Sequence, residues 1–139
     1  YSGLLLSPEY GSRQRFHMII TDAVIEPTPL LEKAVCDCCG KCAKACPLGA
    51  ISETEYETVN NNGKEMKVAK INYDLCRKCQ NGAVANRFTK KGKPDRIAAA
   101  CNRACLVHLE EEKLVSNTFE NKFRQNPAWA LDKDGEYVR

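Results

Sequence analysis

Between residues 36 and 47 the chain runs Cys-Asp-Cys-Cys-Gly-Lys-Cys-Ala-Lys-Ala-Cys-Pro, so that Cys36, Cys39, Cys42 and Cys46 fill the frame C-x2-C-x2-C-x3-C-P without a gap. Four thiols this close in sequence cannot be dispersed through a core. Left without a metal they are reactive, and zinc sites more often space their ligands as two separated pairs. Three thiolates at steps of three instead wrap one corner of an iron–sulfur cubane, with the intervening amide N–H groups turned toward its sulfurs. Gly40 has no Cβ to hold the backbone away. Pro47 ends the turn where its missing N–H is no loss. Cys38 lies outside the frame and is expected to be a spare thiol.

The chain of 139 residues holds 9 cysteines, an odd number that argues against complete disulfide pairing. No basic segment followed by an apolar one announces export, so reduced, metal-bound thiolates in a cytoplasmic setting are expected. With 43% hydrophobic and 28% charged residues the composition is that of a globular domain. No apolar run approaches the roughly 18 residues of a membrane span. A net charge of +3 is too small to indicate nucleic acid. No Ser/His/Asp set, Gly-rich phosphate loop or acid–base pair is visible. The residues therefore carry machinery for moving electrons, and no catalytic site shows in this chain. His17 and His108 are expected to be ordinary surface or strand residues.

The other cysteines, Cys76, Cys79, Cys101 and Cys105, form a C-x2-C and a C-x3-C pair on either side of residues 80–100. This is the first motif again with a long insertion, except that Leu106 stands where a proline would follow. The whole arrangement resembles bacterial ferredoxins with two 4Fe–4S clusters, in which the fourth cysteine of one motif ligates the other cluster. That crossed assignment gives Cys36, Cys39, Cys42 and Cys105 to cluster 1 and Cys46, Cys76, Cys79 and Cys101 to cluster 2. An uncrossed arrangement remains open, as does a single cluster with zinc at the second half. Two oxidised clusters at about −2 each would take the chain from +3 to about −1.

The expected fold is α+β: a ferredoxin-like two-cluster core with an N-terminal β-hairpin, a hairpin between the cysteine motifs and a C-terminal helix. Three regions are expected: an N-terminal strand segment over 1–30, the two-cluster domain over 31–108, and a helical tail over 109–139. Residues 4–6 and 15–25 look like strands around the turn chemistry of 7–12, and Pro27 and Pro29 mark a linker. Residues 55–59 and 65–71 flank Asn60-Asn61-Asn62-Gly63, where Asn-Gly favours a tight hairpin. Residues 68–75 read as a strand leading into a turn. In the insertion, Arg87, Lys90, Lys91, Lys93 and Arg96 make either a solvated loop or a docking face for an acidic electron donor. Residues 107–123 look helical, with Glu110, Glu111 and Glu112 early and Lys122 and Arg124 late, an order that suits the helix dipole. Leu114 and Phe123 are expected to face inward, and Trp129 to anchor the tail.

The run GLLLSPEYGSR at residues 3–13, followed by Ile19-Ile20-Thr21-Asp22, resembles the segment preceding the clusters in epoxyqueuosine reductases and corrinoid-dependent reductive dehalogenases. The likeness continues through residues 36–51. In that family the segment joins a corrinoid-binding domain to a two-cluster ferredoxin module. The family places its late cysteines as C-x2-C-x3-C-P. Here Ala98 stands at the first of those positions, Cys76 or Cys79 replaces it, and the last proline is missing. The resemblance implies a relay in an anaerobic, corrinoid-dependent reductase. Its electrons would come from a ferredoxin or flavodoxin-like donor, and its corrinoid would be bound mainly by an upstream region. The chain starts at Tyr1 and is expected to be a fragment or processed product. The alternatives are an autonomous ferredoxin-type carrier or redox-complex subunit, and a zinc-bound structural module.

Overall fold

The computed structural model describes residues 1–118 and 130–138. Its regular elements are α1 (Lys41–Lys44), β1 (Ile51–Asn61), β2 (Lys64–Ile71), α2 (Tyr73–Arg77), α3 (Ala100–Glu111), β3 (Ala130–Leu131) and β4 (Tyr137–Val138). Helix and strand are mixed, and the strands form two separate antiparallel two-stranded sheets. The described part is therefore α+β. No described helix is long and apolar enough to cross a membrane.

The β1–β2 hairpin turns at Asn62-Gly63, both with positive φ, as a tight hairpin turn requires. Its register runs from Asn61↔Lys64 to Tyr56↔Ala69, then shifts before Ile51↔Ile71. The outer arm stands in solvent, whereas Ile51 and Ala69 at its foot are buried. There the Asn72 N–H donates to the Ala50 carbonyl at 2.8 Å. The Asn72 side chain then caps α2, accepting from the N–H groups of Asp74 and Leu75 at 3.1 Å each. The hairpin foot thus joins the exit of the first cysteine motif to the entrance of the second.

Helix α3 forms because an alanine-rich start gives way to the apolar face Cys101, Cys105, Leu109 at intervals of four. That face packs on α1. Leu109, 1% exposed, is among the largest fully buried side chains. The Leu114 N–H donates to the Leu109 carbonyl at 2.8 Å, and Lys113 adopts a positive φ, which ends the helix.

Three expectations change. The N-terminal hairpin is absent: residues 1–40 hold neither helix nor paired strand, apart from a Ser7↔Gly11 bridge. The apolar residues of 15–25 find no partner strand among the described residues, and Met18, Ile20 and Val24 are almost fully exposed. Without a neighbour to satisfy its amides and cover one face, a strand pattern makes no strand.

The C-terminal helix is also displaced. It begins at Ala100 within the cysteine motif, and residues 130–138 form a short hairpin instead of helix. The glutamates consequently lie at the helix C-terminus, the end its dipole disfavours. Ion pairs from Arg13 to Glu110 at 3.4 Å and Lys41 to Glu111 at 3.5 Å offset that placement. Third, residues 68–75 are strand only to Ile71, after which α2 begins. Leu114 is partly buried against the core, while Phe123 and Trp129 lie outside the described residues.

Replacing Leu109 with alanine should lower the unfolding free energy by about 2–5 kcal/mol. Glu57→Gln on the exposed hairpin arm should change it by less than about 0.5 kcal/mol. Anaerobic urea titrations followed by circular dichroism would check both.

Candidate metal centre

All nine cysteines are free thiols, and eight of them converge in two groups. Cys46 lies just before β1, Cys76 in α2, Cys79 just beyond α2 and Cys101 in the first turn of α3. The hairpin foot returns the chain to its starting point, so Cys76 arrives beside Cys46. These four thiols line a shallow recess, otherwise walled by Arg96 and small apolar side chains such as Ala83 and Ala99.

Cys105 lies one turn beyond Cys101, about 6 Å along the helix axis, and its neighbours are Cys42, Cys36 and Cys39. Burial and those three thiols together push the Cys105 thiol up to about 12. Burial likewise raises Cys42 to about 11, the Tyr1 ammonium opposing and Cys36 and Cys101 adding to it. Cys101 thus acts on a thiol of the other group, so the two groups are adjacent. In the second group, burial raises Cys76 and Cys101, Arg96 opposes it, and their fellow thiols reinforce it.

Cys38 stays exposed in the loop, with a φ of 61°. Gly40 adopts a φ of 73°, and the side where a Cβ would stand is open. Gly82, at a φ of 89°, permits a closer approach: a Cβ there would fall 2.3 Å from the Ala98 carbonyl oxygen. Only glycine lets the segment after Cys79 press against the chain entering α3.

Three backbone amides approach cysteine sulfurs: Cys38 to Cys36 at 3.4 Å, Ala50 to Cys46 at 3.3 Å, and Asn81 to Cys79 at 3.4 Å. Asn81 also ties down the C-terminal hairpin, donating from Nδ2 to the Leu131 carbonyl at 2.7 Å and accepting the Leu131 N–H at 2.6 Å.

Sequence reasoning missed the pair behind the first group. His108, 6% exposed, is buried on α3, not at the surface or in a strand. Its Nε2 lies 2.7 Å from Asp37 Oδ2, clamping the motif loop onto the helix. Burial would raise the Asp37 carboxyl, but hydrogen bonds from His108 and the Cys39 amide outweigh it and hold the pKa below its ordinary value. Asp37, Cys39 and His108 also bring one ligand atom each within 4.8 Å of one another. The available signal was the three-residue step from Cys105 to His108, which puts both on one helix face. His17 is exposed.

The recess has the donor chemistry for an iron–sulfur cluster: four soft sulfur ligands, few competing oxygens and a buried cation, Arg96. The Arg96 Nη1 is buried and has no hydrogen-bond partner among the described residues, as expected where negative charge is to be held. No protein-family model, curated protein or solved structure matches this chain.

With Cys42 and Cys105 protonated at neutral pH, a metal bound there would have to expel their protons. Apparent affinity should therefore rise with pH, about tenfold per unit for each proton released, and fall on acidification. Cobalt(II) thiolate absorbance in titrations of the reduced, metal-free chain would measure the slope, and Cys105→Ala should make it shallower.

Proposed function

We propose that this chain holds two 4Fe–4S clusters and serves as the electron-relay module of a corrinoid-dependent reductase in the cytoplasm. The observation that carries this reading is the interleaving of eight thiols into two adjacent groups of four. Cys36, Cys39 and Cys42 share α3's Cys105, while Cys76 and Cys79 share Cys46 and Cys101. When bound, the clusters supply reversible one-electron chemistry. The chain's own residues ligate, exclude water and set the local field. Apolar walls around the recess keep the dielectric low, and the amide N–H groups at Cys36, Cys46 and Cys79 partly neutralise sulfur charge.

The insertion supports a partner for electron entry. Its ends are joined by the Val84↔Asp95 bridge, and Arg77 beside Cys76 donates to the Lys91 carbonyl at 3.2 Å. Asn86 braces the loop internally, donating to the Lys93 carbonyl at 3.0 Å. This ordered loop presents Arg87, Lys90, Lys91 and Lys93 to solvent around Phe88, which is 97% exposed. A ferredoxin or flavodoxin-like donor with an acidic face around an apolar centre fits such a surface.

The corrinoid side of the proposal rests on the resemblance at residues 3–13, 19–22 and 36–51. The bare apolar stretch over 16–31 adds support, because a contiguous exposed run of this kind marks an interaction surface. An autonomous ferredoxin-type carrier would use the same two groups without a cobalt acceptor. A mononuclear metal at Asp37, Cys39 and His108 is a distinct rival favoured by their spacing, and it would take Cys39 from the first group.

Anaerobic purification should give about eight irons and eight acid-labile sulfides per chain, with paramagnetic resonance of coupled reduced clusters. Colourless protein without sulfide would overturn the reading, and zinc without sulfide would favour the rival. Charge reversal at Lys90, Lys91 and Lys93 should slow reduction by an acidic ferredoxin about tenfold or more at low ionic strength. The difference should vanish near 1 M salt, where the screening length is about 3 Å. Stopped-flow absorbance would measure it.

A further inference from the structure

Arg96 is a charged side chain only 4% exposed. Its Nη2 donates to the Ser2 carbonyl at 2.9 Å, whereas Nη1 is buried without a partner among the described residues. The adjacent carboxylate does not answer it: Asp95 is engaged by the Arg15 guanidinium and by the Ile97 N–H at 3.1 Å. Arg96 instead lines the recess shared by Cys46, Cys76, Cys79 and Cys101. A buried guanidinium with an unmet donor is costly unless negative charge is placed beside it. Of the two groups of thiols, it is the recess of this one that Arg96 lines. The charges near the other group are the Tyr1 ammonium, 3.3 Å from Cys36 Sγ, and the Asp37 carboxylate.

We propose that Arg96 is a positioning residue that stabilises the reduced, more negative state of the cluster held by Cys46, Cys76, Cys79 and Cys101, and raises the potential of that cluster alone. This rests on the two-cluster reading. A fixed positive charge in a low-dielectric recess favours the added electron. At the other group, beyond intervening thiols, its effect is weaker. The two sites thereby become unequal in their hold on an electron through one side chain that ligates nothing.

The test is potentiometric titration of the anaerobic, cluster-loaded chain followed by electron paramagnetic resonance, for wild type, Arg96→Met and Arg96→Lys. Arg96→Met should move one of the two couples to more negative potential and leave the other in place. Arg96→Lys, which keeps the charge without the fork, should restore most of the shift. Loss of four irons in both variants would mark a merely structural role and overturn the proposal. Two unmoved couples, two that move together, loss of all eight irons, or a lysine variant no different from methionine would each overturn it. Wild-type protein without iron and sulfide would instead refute the two-cluster reading itself.

Discussion

Thiols occupy the positions where a domain of this size would ordinarily place leucine and valine. The main buried cluster consists of Cys42, Cys101, Cys105, three alanines, Ile51, Leu109 and Val115. Large apolar side chains are few, and the hydrophobic stabilisation available from them is correspondingly small. Burial also opposes the ionised form of these thiols, so the sulfur-rich centre is poorly suited to stand without an electrophile among its ligands. Metal binding to such a centre would be coupled to folding, as it is in small metal-binding domains.

The rest of the architecture serves that convergence. The β1–β2 hairpin contributes little core beyond its foot, yet the closure between Ala50 and Asn72 determines that Cys46 meets Cys76. Outside the centre, polar clamps supplement the apolar packing of side chains such as Tyr1, Leu6 and Val35. Asp37 holds the motif loop to α3, Asn81 holds the C-terminal hairpin to the segment after Cys79, and Arg13 and Arg15 pin the N-terminal segment to Glu110 and Asp95.

Local patterns with their own chemistry were legible in the sequence. The first cysteine motif, the Asn62-Gly63 turn and the spacing of the late cysteines each specify geometry over a few residues. What escaped depends on neighbours far along the chain. Residues 15–25 alternate in part, as a strand would, but strand formation needs a partner that the described residues do not provide. The glutamate run looked like a helix start because dipole matching is a weak preference. The alanines and buried cysteines of 98–105 outweigh it and begin the helix earlier. The Asp37–His108 contact spans 71 positions and leaves no local trace. Arg96 resembled one more cation in a basic loop, since nothing in the sequence distinguishes the member that turns inward.

Helix α3 hands one sulfur to each group from successive turns. On the two-cluster proposal the sites would be geared through a single rigid rod, and a slip or fraying of its first two turns would withdraw a ligand from both at once. Oxidation of Cys101 or Cys105 would then be felt beyond its own group, and partial damage would tend to become complete disassembly.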